Sequence, residues 1–484
     1  MTEGPNRSPS HASHSPFITG CRETFTSAIV RAASPAVRSR DQATSCTPTS
    51  AGRHRLASPS IGHEHVAQKP EPSGYHNHML LRAFTAGIVC ILVLFQLIQI
   101  SLPLGRTTRS GPGISSRGVR NISAILSELH TLEPQLRRAH GPGSELPSVQ
   151  PGARLIAIGD IHGDYDQAVN ALTLCGVIDE GEHWRAGHDV VVQTGDLVDR
   201  GPESLAVVGL FERLKAEAML AGGDVILLLG NHELMNIQGD FRYVSKAELR
   251  TIALDSKIPA AASPDAGGGP HTPVAVRGMQ RWMAMLLPSQ PLGRLLRNRL
   301  ATAVLGAGQC RSLFVHAGVL PGILGQQGVQ RSAIGVELLV ALNRAMHGLL
   351  SECSSPSCGL EARSPQHKLI GDDGPLWYRG YATKPEKAIC NHVSGVLQAV
   401  HAKRMVIGHT IQESGMVGTR CGGLVHLIDV GMSRSYLGKL AAWKCTPHEG
   451  PSAVYPGQGS VRLVETASTA STGRVDGRFD TRNA

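Results

Sequence analysis

Five short runs of aliphatic residues in this chain end in the same way. Each is a short, mainly aliphatic run that leads to Asp, Asn or His, in four of the five through glycine. Runs of this length that are rich in Val, Ile and Leu are typical of strands buried on both faces. The runs are RLIAIGDIHGD (154–164), DVVVQTGDLVDRG (189–201), DVILLLGNHE (224–233), RSLFVHAGV (311–319) and KRMVIGHT (403–410).

The segments between these runs carry helical patterns. One example is PESLAVVGLFERLKAEAML (202–220), in which the proline is placed for the first turn of a helix. Alternation of strands and helices predicts an α/β fold with helices on both sides of the sheet. Ligands bind beyond the carboxyl ends of the strands in such sheets, so the five run endings are expected to converge.

Convergence of the endings would assemble polar side chains at one edge of the sheet. These are oxygen and imidazole donors without a thiolate, which favours Mn, Fe or Zn at a catalytic site over a structural zinc site. Six ligands are too many for one catalytic ion with an open position, so two divalent or trivalent ions that share a carboxylate are predicted. Asp196 is the expected bridge, and Asn231 would give the second ion a neutral oxygen. The six candidate ligands are Asp160, His162, Asp196, Asn231, His316 and His409.

Three of the motifs resemble the signature of the phosphoprotein phosphatase superfamily of metallophosphoesterases. They are GDIHG, GDLVDRG and GNHE, and the resemblance covers residues 152–445. VHAGV, GPLWYRGY (374–381) and the GHT motif followed by LIDVGMS look like the bacterial-type branch called Shewanella-like phosphatases. This resemblance implies a calcineurin-like metallophosphoesterase fold, in which a central β-sandwich is flanked by helices.

The resemblance also implies a role for each site residue. Asp160, His162 and Asp196 would hold one metal, and Asp196, Asn231, His316 and His409 would hold the other. Arg200, Arg379 and Asn231 would bind the phosphate. His232 would be the general acid, paired with Asp199, which would fix its tautomer and raise its pKa. Glu233 is expected to be structural, and His401 and His426 are taken as ordinary residues.

The predicted function is a metal-dependent protein phosphatase. It would hydrolyse phosphomonoesters on Ser or Thr of a phosphoprotein, with Tyr also open, by attack of a water molecule that two metals activate. A dinucleoside-tetraphosphate hydrolase of the same fold is one alternative, although VDRG and GNHE favour the protein phosphatase. A non-catalytic scaffold is an alternative of another class, and the complete set of metal ligands argues against it.

The rest of the chain divides by composition. Residues 1–78 and 446–484 are predicted to be disordered, and residues 106–151 are predicted to be a linker with a short helical piece. The segment AFTAGIVCILVLFQLIQISLPLG (83–105) has no charged residue. At about 1.5 Å per residue it is long enough to cross a hydrocarbon core of roughly 30 Å. Residues 79–105 are therefore predicted to form one transmembrane helix of a single-pass membrane protein, with the side of the catalytic domain left open.

The charge and the cysteines exclude further classes. The net charge is +9, but 15 Lys and Arg against 8 Asp and Glu lie in residues 1–150, so the basic character belongs to the arm and a nucleic-acid partner is not expected. None of the ten cysteines forms a C-x-x-C pair, which argues against a zinc ribbon or a thioredoxin-type site. Cys353 and Cys358 are the closest pair, and free thiols and a disulfide are both open for them.

Overall fold

The structure is a computed structural model that describes residues 121–139, 149–258, 272–324, 335–352 and 368–463. Strands and helices alternate along most of this part of the chain. The strands are β1 (Leu155–Ile158), β2 (Val190–Gln193), β3 (Asp224–Leu227), β4 (Thr302–Leu305), β5 (Ser312–Val315), β6 (Arg404–Ile407), β7 (Gly418–Arg420), β8 (Val425–Leu427), β9 (Ala442–Thr446), β10 (Gly450–Tyr455) and β11 (Gly459–Arg462). The helices are α1 (Ile122–Ala139), α2 (Tyr165–Leu174), α3 (Ser204–Leu220), α4 (Asn231–Ile237), α5 (Lys246–Leu254), α6 (Val274–Met285), α7 (Pro291–Arg297), α8 (Pro321–Leu324), α9 (Val336–Glu352), α10 (Gly380–Thr383) and α11 (Glu386–Ala399).

The strands form two sheets. The first has six strands in the order β11-β10-β9-β1-β2-β3, in which β1, β2 and β3 are parallel. The second has five strands in the order β4-β5-β6-β8-β7, in which β5, β6 and β8 are parallel. The five predicted runs become β1, β2, β3, β5 and β6, and every residue of these strands is buried, which confirms the prediction of strands covered on both faces.

Each central strand contributes to two apolar clusters, because successive side chains point to opposite faces. Leu155 and Ala157 of β1 belong to a cluster that the two sheets share, and there the ring of Phe314 lies 5.6 Å from that of Trp443. Ile156 and Ile158 belong to a second cluster, which contains the buried side chains of the helices. This is the expected α/β architecture with a β-sandwich flanked by helices.

Helix α1 lies within the predicted linker, 106–151, and it is part of the folded domain. Its buried residues Ile122, Leu129 and Leu136 recur every seven positions, so they share one face of the helix. That face packs against α3 so closely that a Cβ on Gly209 would lie 2.7 Å from a methyl carbon of Ile125. A small residue at position 209 is therefore required for this helix pair.

The domain extends beyond the predicted boundary at residue 445, which falls inside β9. The first part of the tail that was expected to be disordered from residue 446 instead forms β10 and β11, which extend the first sheet to Arg462. Residues 464–484 lie outside the described residues. Strand β10 is buried along its whole length: β9 and β11 pair with it on either side, and Ala453 and Tyr455 pack in the cluster that the two sheets share. The polar composition of residues 446–463 concealed these strands.

The prediction of a transmembrane helix and of a single-pass membrane protein is corrected by the structure. None of the helices in the described ranges is both long enough and apolar enough to cross a membrane. The longest of them contain charged residues, such as Glu133 in α1 and Lys215 in α3. The predicted segment 79–105 and the predicted arm 1–78 lie outside the described residues.

Two disulfides join segments that are distant in sequence. Cys310, which precedes β5, pairs with Cys445 of β9 and so links the two sheets. Cys390 of α11 pairs with Cys421, shortly before β8. The cysteines are scattered in the sequence without regular spacing, so no pattern predicted these pairs. Cys353 and Cys358 lie outside the described residues.

Candidate metal centre

The five predicted strand endings meet at one place. Ile161 N and His162 N, after β1, both donate hydrogen bonds of 3.0 Å to the carbonyl of Asp196, after β2. In the second sheet, Gly408 N donates to the carbonyl of His316 at 2.9 Å, which joins the loops after β5 and β6. The carboxyl ends of parallel strands thus assemble the site, as the sequence predicted.

Three of the candidate ligands have a left-handed backbone. The φ angles are 49° at His162, 59° at Asp196 and 66° at His409. A non-glycine residue in this region costs on the order of 1 kcal/mol, and it persists only where surrounding contacts hold it. Strain concentrated on these residues is typical of a functional site.

Asp196 is shared by two groups of side chains that could each hold a cation. His162, Asp196 and His232 form one group, and Asp196, His316 and His409 form the other, with the ligand atoms of each group within 4.8 Å of one another. All of these residues are buried. The predicted bridging position of Asp196 therefore matches the geometry, whereas His232 occupies the place in the first group that was expected for Asp160.

Asp160 lies beside these groups. Both of its carboxylate oxygens accept from His409 N, at 3.2 and 3.1 Å. A Cβ at position 408 would lie 2.3 Å from Asp160 Oδ1, so only glycine fits where the loop after β6 passes this carboxylate. Asp160 thus connects the loops that carry the two groups.

The second group has donor atoms that suit a cation. His316 Nδ1 donates to the carbonyl of Thr194 at 2.9 Å, so Nε2 of the neutral imidazole carries a lone pair. That lone pair faces Asn231 Oδ1 at 2.9 Å and Asp196 Oδ2 at 3.3 Å. These three atoms repel one another unless a proton or a metal ion lies among them. The residues present therefore fit a bound metal ion.

The other two predicted histidine ligands, His162 and His409, are also oriented by backbone carbonyls. His162 Nδ1 donates to the carbonyl of Val198 at 3.1 Å, which directs Nε2 towards Asp196 Oδ2, 3.7 Å away. His409 Nε2 donates to the carbonyl of Trp377 at 3.1 Å, which leaves Nδ1 as its ligand atom. Such contacts fix the tautomer of a metal-binding histidine.

The protonation states also favour metal binding. Burial lowers the pKa of His162 to about 3 despite the charge of Asp196, and burial with the neighbouring His316 lowers the pKa of His409 well below its usual value. Both imidazoles are therefore neutral, which is the form that binds metal. Burial raises the pKa of Asp160, and the charges of Asp429 and Asp196 raise it further. Carboxylates crowded in this way are stabilised by cations.

Asp429 belongs to the site, and the sequence analysis gave it no role. It is buried after β8, and its carboxylate accepts from Gly431 N at 3.0 Å. Burial and the charge of Asp196 raise its pKa to about 6. In LIDVGMS an Asp directly follows two aliphatic residues at the end of β8, and this was the signal that could have identified Asp429.

His232 and Asp199 form the predicted pair. His232 Nδ1 lies 2.7 Å from Asp199 Oδ2, and Asp199 is fully buried. Burial alone would lower the pKa of His232, but the charges of Asp196 and Asp199 outweigh it and raise the pKa above its usual value. Asp199 Oδ1 also accepts from Asn236 Nδ2 at 3.0 Å, and Asn236 Oδ1 accepts from Trp282 Nε1 at 2.7 Å. Neither of these two supporting residues was predicted from the sequence.

The two predicted phosphate-binding arginines are exposed. The guanidinium of Arg200 lies 3.7 Å from the ring centre of Tyr243 and 5.6 Å from that of Tyr436. Arg379 Nη1 donates to the carbonyl of His409 at 2.8 Å and lies 3.3 Å from Thr410 Oγ1. A cation–π contact such as that of Arg200 with Tyr243 restrains a guanidinium without blocking its N–H groups. The two tyrosines are a further feature that the sequence analysis did not identify.

Two residues set aside from catalysis have structural contacts. Glu233 accepts three backbone N–H groups, from Asp196, Leu197 and Gly230, as a structural acceptor would. His426 is buried in β8, where its Nδ1 accepts from Trp443 Nε1 at 2.7 Å. Neither residue belongs to the two metal-binding groups.

The chain is similar to known phosphatases. Residues 153–285 match the family described as calcineurin-like phosphoesterase. Shewanella-like protein phosphatase 2 of Arabidopsis thaliana is 33% identical to this chain. The aligned region covers 58% of this chain and 72% of the length of that protein. Shewanella-like protein phosphatase 1 of Plasmodium berghei (strain Anka) is 26% identical, and the aligned region covers 59% of this chain and 69% of the length of that protein. A crystal structure of a cold-active protein-tyrosine phosphatase from a psychrophilic Shewanella species has a similar fold, with a TM-score of 0.51 and 23% identity over 67% of this chain and 84% of that one.

Proposed function

Because the chain belongs to the Shewanella-like protein phosphatases and is a hydrolase acting on phosphoproteins, we propose that the cluster around Asp196 is its catalytic centre. The observation that carries this proposal is the position of Asp196 between two groups of buried histidines. A carboxylate shared in this way is the usual bridge of a two-metal phosphatase site.

The cluster would hold two metal ions, for which Mn, Fe and Zn all suit its nitrogen and oxygen donors. The proposed ligands are Asp160, His162 and Asp196 for one ion, and Asp196, Asn231, His316 and His409 for the other. When bound, two cations neutralise the phosphate dianion and activate a water molecule for attack on phosphorus.

His232 is proposed as the general acid. An alkoxide leaving group needs a proton, and the raised pKa of His232 keeps that proton available near neutral pH. Asp199 holds the ring through Nδ1, so Nε2 carries the proton that would be transferred. Nε2 lies 4.0 Å from Asp196 Oδ2 and thus faces the site.

Arg200, Arg379 and the amide of Asn231 are proposed to bind the phosphate. Guanidinium groups form paired hydrogen bonds to phosphoryl oxygens, and both arginines are exposed beside the buried cluster. The stacking of Arg200 on Tyr243 would restrain it before substrate binds. The phosphate would therefore lie between a cationic rim and the metal-binding cluster.

The proposal is tested by phosphate release from phosphoserine, phosphothreonine and phosphotyrosine peptides and from diadenosine tetraphosphate, with the full chain in Mn²⁺. We expect hydrolysis of the peptides. His232→Ala is expected to lower kcat by roughly 10²- to 10⁴-fold, the range for a lost general acid. His392→Ala, at an exposed position of α11, is the matched control and should retain full activity.

Each alternative predicts a different outcome. Full activity of His232→Ala or Asn231→Ala would refute the assignment of the site. Hydrolysis of diadenosine tetraphosphate without hydrolysis of any peptide would favour the tetraphosphate hydrolase. A pure chain that binds no metal and hydrolyses neither substrate would favour the scaffold.

A further inference from the structure

Glu233 connects the two loops that carry the central candidate ligands. Its Oε2 accepts from Asp196 N and from Gly230 N, both at 2.9 Å, and its Oε1 accepts from Leu197 N at 2.8 Å. Asp196 follows β2, and Gly230 immediately precedes Asn231 after β3. One fully buried carboxylate thus fixes the backbone of both loops.

Arg299 is the cation beside this carboxylate. Its Nη1 lies 3.3 Å from Glu233 Oε1, and its Nη2 lies 3.6 Å from Glu212 Oε1 of α3. All three side chains are buried. Within the described residues, Arg299 Nε and Nη2 have no hydrogen-bond partner, so the two carboxylates are what balance this buried charge. A carboxylate buried without a cation would carry a large desolvation cost.

Arg299 lies in the segment between α7 and β4. The residue stands two positions after α7, and the next residue, Leu300, accepts a 2.8 Å hydrogen bond from Leu229 N at the end of β3. Arg299 therefore contacts Glu233 from the segment that precedes β4. It joins that segment to Glu233, and Glu233 joins the loops after β2 and β3.

We propose that Arg299 is a positioning residue for the metal centre. It holds the Glu233 carboxylate in the one orientation that binds both loops, and through them it sets Asp196 and Asn231. The left-handed backbone of Asp196 increases the need for this restraint, because its N–H would otherwise lose the contact that holds it. The inference rests on the proposed function, since it assumes that Asp196 and Asn231 bind metal.

The fork of the guanidinium suits this role. Two different nitrogens of Arg299 face two carboxylates, whereas the single ammonium of a lysine is a point charge that cannot face both in the same way. Arg299→Lys keeps the positive charge and removes the fork. It therefore separates orientation of Glu233 from mere neutralisation of its charge.

Arg297→Lys is a matched control two residues away. Arg297 is as buried as Arg299, and its guanidinium donates to the carbonyls of Leu350, Leu286 and Gly293. Both substitutions replace a buried arginine near the end of α7. Only Arg299→Lys should disturb the loops that hold Asp196 and Asn231.

The experiment measures Mn²⁺ affinity of the full chain by calorimetry, the electron paramagnetic resonance spectrum of bound Mn²⁺, and thermal unfolding in EDTA. We expect Arg299→Lys to weaken Mn²⁺ binding by about 10- to 100-fold, the usual effect of losing a contact behind a metal ligand, and to alter the spectrum. Arg297→Lys is expected to keep the wild-type affinity and spectrum. Glu233→Gln is measured in parallel, so that the inference stays testable if Arg299→Lys does not fold.

The outcomes separate the inference from the proposed function. Wild-type affinity and spectrum in a folded Arg299→Lys variant would overturn the positioning role and leave the metal centre intact. Wild-type affinity in Glu233→Gln would overturn it as well. A wild-type chain that binds no Mn²⁺ would overturn the proposed function itself.

Discussion

Glu248 is a buried carboxyl whose ionisation opposes folding. It lies on α5 with 1% of its surface exposed, and its Oε1 accepts from Leu205 N at 2.9 Å. It therefore caps the start of α3, where Glu203 makes no side-chain cap. Burial raises the pKa of Glu248 from 4.5 to about 7 against the opposing hydrogen bonds, and its Oε2 has no partner within the described residues.

The sign of the pH effect follows from this pKa. The folded chain binds the proton more tightly than the unfolded chain, so the favourable contribution is fully present below pH 4.5. It is lost as the pH rises through about 7. At 1.36 kcal/mol for each pKa unit, ionisation of Glu248 lowers the free energy of unfolding by about 2–3 kcal/mol between pH 5 and pH 8. Glu248→Gln stays neutral and keeps an acceptor oxygen, so this loss should disappear.

Urea unfolding at pH 5, 6, 7 and 8 measures the effect, with EDTA present so that metal binding does not contribute. The variant should gain on the wild type by about 2–3 kcal/mol as the pH rises from 5 to 8. Glu337→Gln, at an exposed position of α9, is the control and should follow the wild type. A constant difference between Glu248→Gln and the wild type across this range would refute the reasoning.

Three further predictions concern the site and the fold. Asp199→Asn should lower kcat by roughly 10²-fold. The same change should move the alkaline fall of kcat to lower pH, because Asp199 raises the pKa of His232, as a pH–rate profile would show. Arg379→Lys should lower kcat/KM for a phosphopeptide by about 10-fold, since a charge-assisted hydrogen bond contributes about 1.5–3 kcal/mol; an unchanged kcat/KM would contradict its role. Leu129→Ala should lower the free energy of unfolding by about 2–5 kcal/mol because the side chain is 1% exposed, whereas a dispensable linker helix would show no effect.

The strand endings could be predicted because they are local patterns with one physical meaning. Asp160, Asp196 and His316 each follow a short aliphatic run, and parallel strands bring such endings together. The pairing of His232 with Asp199 followed from the family resemblance, and its 2.7 Å contact agrees with it. The α/β architecture and the convergence of the strand endings were therefore accessible from the sequence.

Other features depend on contacts that no local pattern encodes. Strand β10 forms through its pairing with β9 and β11. Its polar sequence alone resembles that of a disordered tail. Arg299 reaches Glu233 from 66 residues away, and its own neighbourhood in the sequence contains only ordinary helical residues. Asp429 could have been found from its ending, but its aliphatic run is interrupted by His426. Tertiary packing, not local propensity, determines the first two.

Metal content measured together with phosphatase activity tests the central claim most directly. The full chain is loaded with Mn²⁺, dialysed and analysed by mass spectrometry, and the same samples are assayed on phosphopeptides. We predict two Mn²⁺ ions per wild-type chain, and loss of both bound metal and activity in Asp196→Asn, because this carboxylate is shared by the two groups. A wild-type chain that is active without bound metal, or an Asp196→Asn variant that keeps both ions and full activity, would contradict the account.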